Sequence, residues 1–126
     1  MGTLQAERIV YQRFSNEGAV SVRWGNDATI DDVLAHVGIE GGSKRTVDSD
    51  AATRVDGLAA RRVKLRVISA DAHTHDLPLS DRERIFVFVG FQVRNVHVLV
   101  GYRSPASEFA AVEPLLEHVL ASVKQL

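Results

Sequence analysis

The chain of 126 residues has no cysteine, one methionine, one tryptophan and three prolines. The missing cysteine excludes disulfides, thiolate-ligated zinc and thiol catalysis. Long apolar runs are missing too, and no stretch is long and apolar enough to span a bilayer. No phosphate-binding loop, GxGxxG fingerprint, nucleophile elbow or Ser-His-Asp spacing occurs, so neither catalysis nor a cofactor is expected. Met1 to Ala6 carry no charged lead and no apolar stretch. No signal peptide is therefore expected, and the chain as it stands reads as cytoplasmic; a mature form whose signal has been removed would be periplasmic or otherwise extracytoplasmic. Charge of one sign is also lacking overall, with a net of −1, which is too little positive charge for a general nucleic-acid binder.

What the sequence does contain is most concentrated from Arg84 to Leu126. Ile85, Val87, Val89, Phe91 and Val93 alternate with Phe86, Phe88, Gly90 and Gln92; Val96, Val98, Val100 and Tyr102 alternate with His97, Leu99, Gly101 and Arg103. Strand side chains alternate between faces. A two-residue turn at Arg94-Asn95 sets Val93 against Val96, Phe91 against Val98, Val89 against Val100 and Val87 against Tyr102, and a slip of one residue would destroy that match. Phe109, Val112, Leu116, Val119, Val123 and Leu126 then recur at helical spacing, with Leu115 and Leu120 widening the stripe. The stripe is expected to pack on the aliphatic face of the hairpin, with firm helix from Pro114 to Val123 after a loose first turn.

Upstream, Glu7–Phe14 and Ala19–Trp24 read as strands, the second with Val20, Val22 and a core Trp24 inward. Thr29 and Asp32 form a capping-box pattern before a short helix striped by Ile30, Val33, Leu34 and Val37, ended by Gly38. Ser43–Asp50 reads as a polar edge strand, and Val55-Asp56-Gly57-Leu58 as a turn. Ala59–Ser69 reads as a long strand, with Val63, Leu65 and Val67 inward and Arg62, Lys64 and Arg66 outward. The expectation is a single α+β domain over residues 1–126, with residues 1–5 disordered: an antiparallel sheet of about six strands in the order β-β-α-β-β-β-β-α, with a short helix after the second strand and a long C-terminal helix packed on the sheet.

Several residues resemble the PsbP/DcrB-like superfamily. Val20 to Trp24 runs into the Thr29 helix; Val55-Asp56-Gly57-Leu58-Ala59-Ala60-Arg61 looks like the family's n-G-x-x-A-r entry to a long strand; Val98-Leu99-Val100-Gly101-Tyr102 is followed by Ser107-Glu108-Phe109 and closes with Leu120-Ala121-Ser122. The resemblance spans most of the chain from Gly18 onward. It implies a binding role rather than catalysis, since the superfamily includes photosystem accessory subunits, envelope lipoproteins of the LpqN type and chaperone-adaptors for secreted effectors.

Residues 60–103 hold eight basic groups against four acidic ones, a net +4, so the remainder carries −5 of the total −1. On that basis Arg62, Lys64, Arg66, Arg84 and Arg103, with Phe86, Phe88 and His97 between them and Arg23 nearby, are expected to form one basic and aromatic outer sheet face. Its partner would be an acidic or amphipathic protein segment, because guanidinium groups stack and make paired bonds to carboxylates. Phe86 and Phe88 are either core, if something covers them, or an exposed binding patch. A homodimer is the other association the sequence allows. The alternative is a metal-binding protein or small enzyme, with Asp71, His73, His75 and Asp76 as weak ligand candidates and His97 as a base.

Overall fold

The computed structural model describes residues 8–13, 19–39, 43–68 and 83–123. Its elements are β1 (Arg8–Arg13), β2 (Ala19–Trp24), α1 (Ile30–Leu34), β3 (Lys44–Val55), β4 (Leu58–Ile68), β5 (Glu83–Val93) and β6 (Val96–Pro105), then a 3₁₀ turn (Ala106–Glu108) and α2 (Phe109–Ala121). The strands form one six-stranded sheet in the order β1-β2-β6-β5-β4-β3, with every neighbouring pair antiparallel.

Two tight turns set the register. Asp56 and Gly57 have φ of 49° and 79°, and Arg94 and Asn95 have 50° and 69°. Two successive left-handed residues match the twist of the strands they join. Val55 therefore meets Leu58, and Val93 meets Val96. The β5–β6 pairing is the one the sequence predicts, with Phe91 on Val98, Val89 on Val100 and Val87 on Tyr102. α2 closes over that face: Leu116 is fully buried among Val87, Val89, Phe91, Val100 and Tyr102, with Val119 and Val123 packed beside it.

Three expectations need correction. α2 begins at Phe109 and runs through Pro114 instead of starting there. Phe109 is buried against Tyr102, ring centroids 5.7 Å apart, which anchors the early turns. The donor that Pro114 cannot supply falls on the carbonyl of Ala110, an exposed residue that water can reach. Leu115, placed in the apolar stripe by its spacing, is 39% exposed. β3 is longer than expected, continuing to Val55, with every residue before Val55 exposed. Such a strand carries no apolar alternation because neither of its sides meets a core; the β4 ladder holds it.

The fold is decided by what lies on the opposite sheet face. The connection from β2 to β3 has to pass β6, β5 and β4 to reach the far edge, and α1 lies in that crossing. Thr29 Oγ1 accepts from the Asp32 amide at 3.2 Å, as the capping pattern predicts. At the other end, Arg45 of β3 donates to the carbonyls of Leu34 (2.5 Å) and Val37 (2.9 Å), which have no helical partner of their own. Ile30 and Val33 press a second core against Val63, Leu65, Phe88 and Leu99. The sheet is thus covered on both faces.

Candidate functional site

The β4–β5 register decides where the predicted site residues lie. Arg62 is opposite Val89, Lys64 opposite Val87 and Arg66 opposite Ile85. Directly opposed residues share a face, so these three basic residues stand on the α2 side. Val63, Leu65 and Val67 stand on the α1 side, opposite Phe88, Phe86 and Arg84. The expectation of one outer face carrying all the basic residues is therefore corrected: the set divides between two faces. The cause is β4 itself, whose apolar residues serve the α1 core and not the aliphatic core under α2.

On the α2 side the three cations are engaged within the chain. Arg62 pairs with Glu117 of α2 at 2.6 Å. Lys64 Nζ sits 4.5 Å above the centre of the Phe109 ring, a cation–π geometry. Arg66 pairs with Asp48 at 2.7 Å and Glu83 at 3.3 Å, and its guanidinium is held above its usual pKa first by the Asp48 hydrogen bond. Arg62 and Lys64 border the helix in this way, through Glu117 and Phe109.

On the α1 side the structure brings together Arg84, Phe86, Phe88 and Arg103, and adds Arg23 from β2. Phe86 and Phe88 stack with centroids 6.1 Å apart and planes 15° from parallel. Phe88 is buried at 9% and Phe86 is half-buried. Gly101 makes room for them, since a Cβ there would lie 3.2 Å from Phe88 Cε1. α1 has only five residues and leaves part of this surface open. The result is a cavity of about 280 Å³, lined chiefly by Ala19, Val37, Phe86, Phe88 and Gly101, with Arg23 and Arg103 at its polar edge. Phe86 and Phe88 thus belong to the core under α1, the covered reading, and also floor an opening beside it.

His97 lies elsewhere. It is half-buried at the other end of α1, beside Gln92, whose amide nitrogen stands 3.3 Å from the ring Nε2. It lines a separate cleft of about 560 Å³ with Gly90, Phe91, Ile30, Asp31 and Arg61. Sequence reasoning missed Arg61 and its partners. Arg61 donates to both carboxylate oxygens of Asp50 (2.9 and 2.7 Å) and to Asp31 (2.9 Å). Asp50 is held below the usual carboxylate range, first by the hydrogen bond from Arg61, and Arg61 is pushed up by the same contact. The signal was present in parity: Arg61 shares its parity with Val63, Leu65 and Val67, and so belongs under α1. Trp24 is half-buried at the end of β2 and opposite Val98.

Asp71, His73, His75 and Asp76 lie outside the described residues. Among the described residues no group of three or more His, Cys, Asp or Glu side chains is arranged to hold a metal ion. Among the same residues no helix is long and apolar enough to cross a membrane.

No family model and no curated protein matches the chain in sequence. Solved structures do match in shape. PA94 from Pseudomonas aeruginosa, a protein of unknown function, superposes with a TM-score of 0.66 over 97% of this chain and 85% of its own, at 11% identity. The cyanobacterial PsbP (CyanoP) of Synechocystis sp. PCC 6803 superposes with a TM-score of 0.61 over 89% of this chain and 69% of its own, at 14% identity. At these identities the likeness is one of fold, and the fold is PsbP-like.

Proposed function

We propose that the protein is a non-catalytic binding protein whose partner is a protein segment docked on the α1 side of the sheet. One observation carries the reading: an apolar opening floored by stacked Phe86 and Phe88 lies beside two arginines, Arg23 and Arg103. A cavity of about 280 Å³ suits one or two apolar side chains, not a whole small molecule of ordinary size. Arginine beside aromatic surface is the composition favoured in interface cores. The segment that fits is amphipathic and acidic, with an apolar side chain seated on Phe86 and Phe88 and carboxylates directed at Arg103, Arg23 and Arg84. Arg62, Lys64 and Arg66 take no part in this reading, because they serve the α2 side. An adaptor or chaperone-adaptor for a secreted effector, or an accessory protein of the cell envelope, would use such a surface.

The test is capture from the native host by immobilised protein, comparing wild type with Arg103→Glu and Arg23→Glu on one face and with Arg62→Glu on the other. The reading expects the first two to lose the captured protein and the third to keep it, with wild-type capture weakening as salt is raised. Loss confined to Arg62→Glu would overturn it.

A further inference from the structure

The cleft at the other end of α1 is larger than the Phe86–Phe88 cavity and differs from it in chemistry. Its floor is apolar: Gly90 with Ile30 and Ala28 of the α1-side core. Its wall is the Arg61 guanidinium, with three N–H groups directed at carboxylates of two different elements, Asp50 on β3 and Asp31 at the start of α1. An arginine held in this way is fixed in its plane, and a fixed guanidinium is a surface on which flat rings stack. Two carboxylates share that one cation, so the cluster carries a surplus of negative charge. The neighbouring Arg54 is directed elsewhere, donating to the Gly57 carbonyl at 3.0 Å. The Asp31 side chain remains 88% exposed even while one of its oxygens accepts from Arg61, so its second oxygen is accessible at the mouth. Gln92 and His97 line the facing wall with groups that donate or accept hydrogen bonds.

We infer that this cleft binds a small aromatic amine, with the ring on the Gly90–Ile30–Ala28 floor beside Arg61 and the ammonium on Asp31. Its volume of about 560 Å³ lies within the range of small-ligand sites. The surplus carboxylate selects cation over anion. An aromatic acid of the same shape meets Asp31 and Asp50 with like charge, while the one cation that would welcome it is already taken by both. The inference is independent of the protein-binding surface, which lies at the opposite end of α1.

The test uses the full chain and two matched probes, tryptamine and indole-3-propionate, titrated while backbone amide NMR shifts are followed. Tryptamine is expected to shift the amides of Ile30, Gly90, Gln92 and His97 saturably, and indole-3-propionate to bind more weakly by up to about fivefold, the scale of one exposed ion pair. Asp31→Asn and Gln92→Lys, on different elements, should each weaken tryptamine and narrow its lead over the acid, with the melting temperature recorded for both. No saturable shift, equal binding of the two probes, shifts centred on Phe86 and Phe88, or full tryptamine affinity in both variants would overturn the inference.

Discussion

Ile30 of α1 rests on the backbone of Gly90 in β5: a Cβ built at Gly90 would lie 3.1 Å from Ile30 Cγ1. That contact lets a helix of little more than one turn sit low enough on the sheet to form a second core and to leave a cleft at each of its ends. Gly90→Val puts two further carbons beyond that Cβ, where Ile30 now sits. The expected cost is about 1–3 kcal/mol, as for other overpacked sites, read as a lower midpoint in denaturant unfolding. An unchanged midpoint would show that α1 is not seated on Gly90.

Leu116 is the centre of the other core, fully buried between α2 and the β5–β6 strands. Leu116→Ala should cost about 2–5 kcal/mol, the range for buried leucine truncations. Leu115→Ala, one residue away but exposed, should cost well under that. Equal effects in thermal melts would mean that α2 faces the sheet with a different side.

Arg62 and Glu117 join β4 to α2 at 2.6 Å. Arg62→Glu should lower stability, and the double variant Arg62→Glu/Glu117→Arg should recover part of the loss. The expected coupling is about 0.2–1 kcal/mol, since both groups are partly exposed. A double-mutant cycle with no coupling would show that the pair only borders the helix.

Tyr102 is 1% exposed, and its hydroxyl has no hydrogen-bond partner of good geometry among the described residues. A buried unpaired polar group costs about 1–3 kcal/mol, so Tyr102→Phe is expected to be neutral or stabilising. Burial pushes the phenol pKa up; Ser104 opposes this, and Glu108 and Glu113 add to it. The folded protein therefore keeps this proton at a pH where the unfolded chain releases it. Stability attributable to Tyr102 is intact below the unfolded phenol value near 10 and falls as pH rises above it. Melts at increasing alkaline pH should fall more steeply in wild type than in Tyr102→Phe; parallel curves would refute the assignment.

How much of this was legible in the sequence depends on how many faces each strand buries. β5 and β6 read correctly to the register because one aliphatic set and a two-residue turn admitted a single match. The Thr29 cap was legible for a similar reason, its hydroxyl and the Asp32 amide being three residues apart. β4 misled because alternation says which residues share a face, not which face that is. The apolar set Val63, Leu65 and Val67 fits either core, and only the long-range pairing with Phe86 and Phe88 places it under α1. The end of β3 was missed because an edge strand held by ladder bonds shows no apolar period. The Arg61–Asp50–Asp31 cluster draws on three separate elements, so no local pattern announces it.

The proposed function rests on a partner docking beside α1, and site-specific photocrosslinking tests this most directly. A photoreactive side chain placed at Arg103, and in parallel at Arg62, is irradiated in the native host. A covalent adduct with a single partner protein from position 103 and none from position 62 is the predicted result. An adduct from position 62 alone would place the partner on the α2 side and contradict the account.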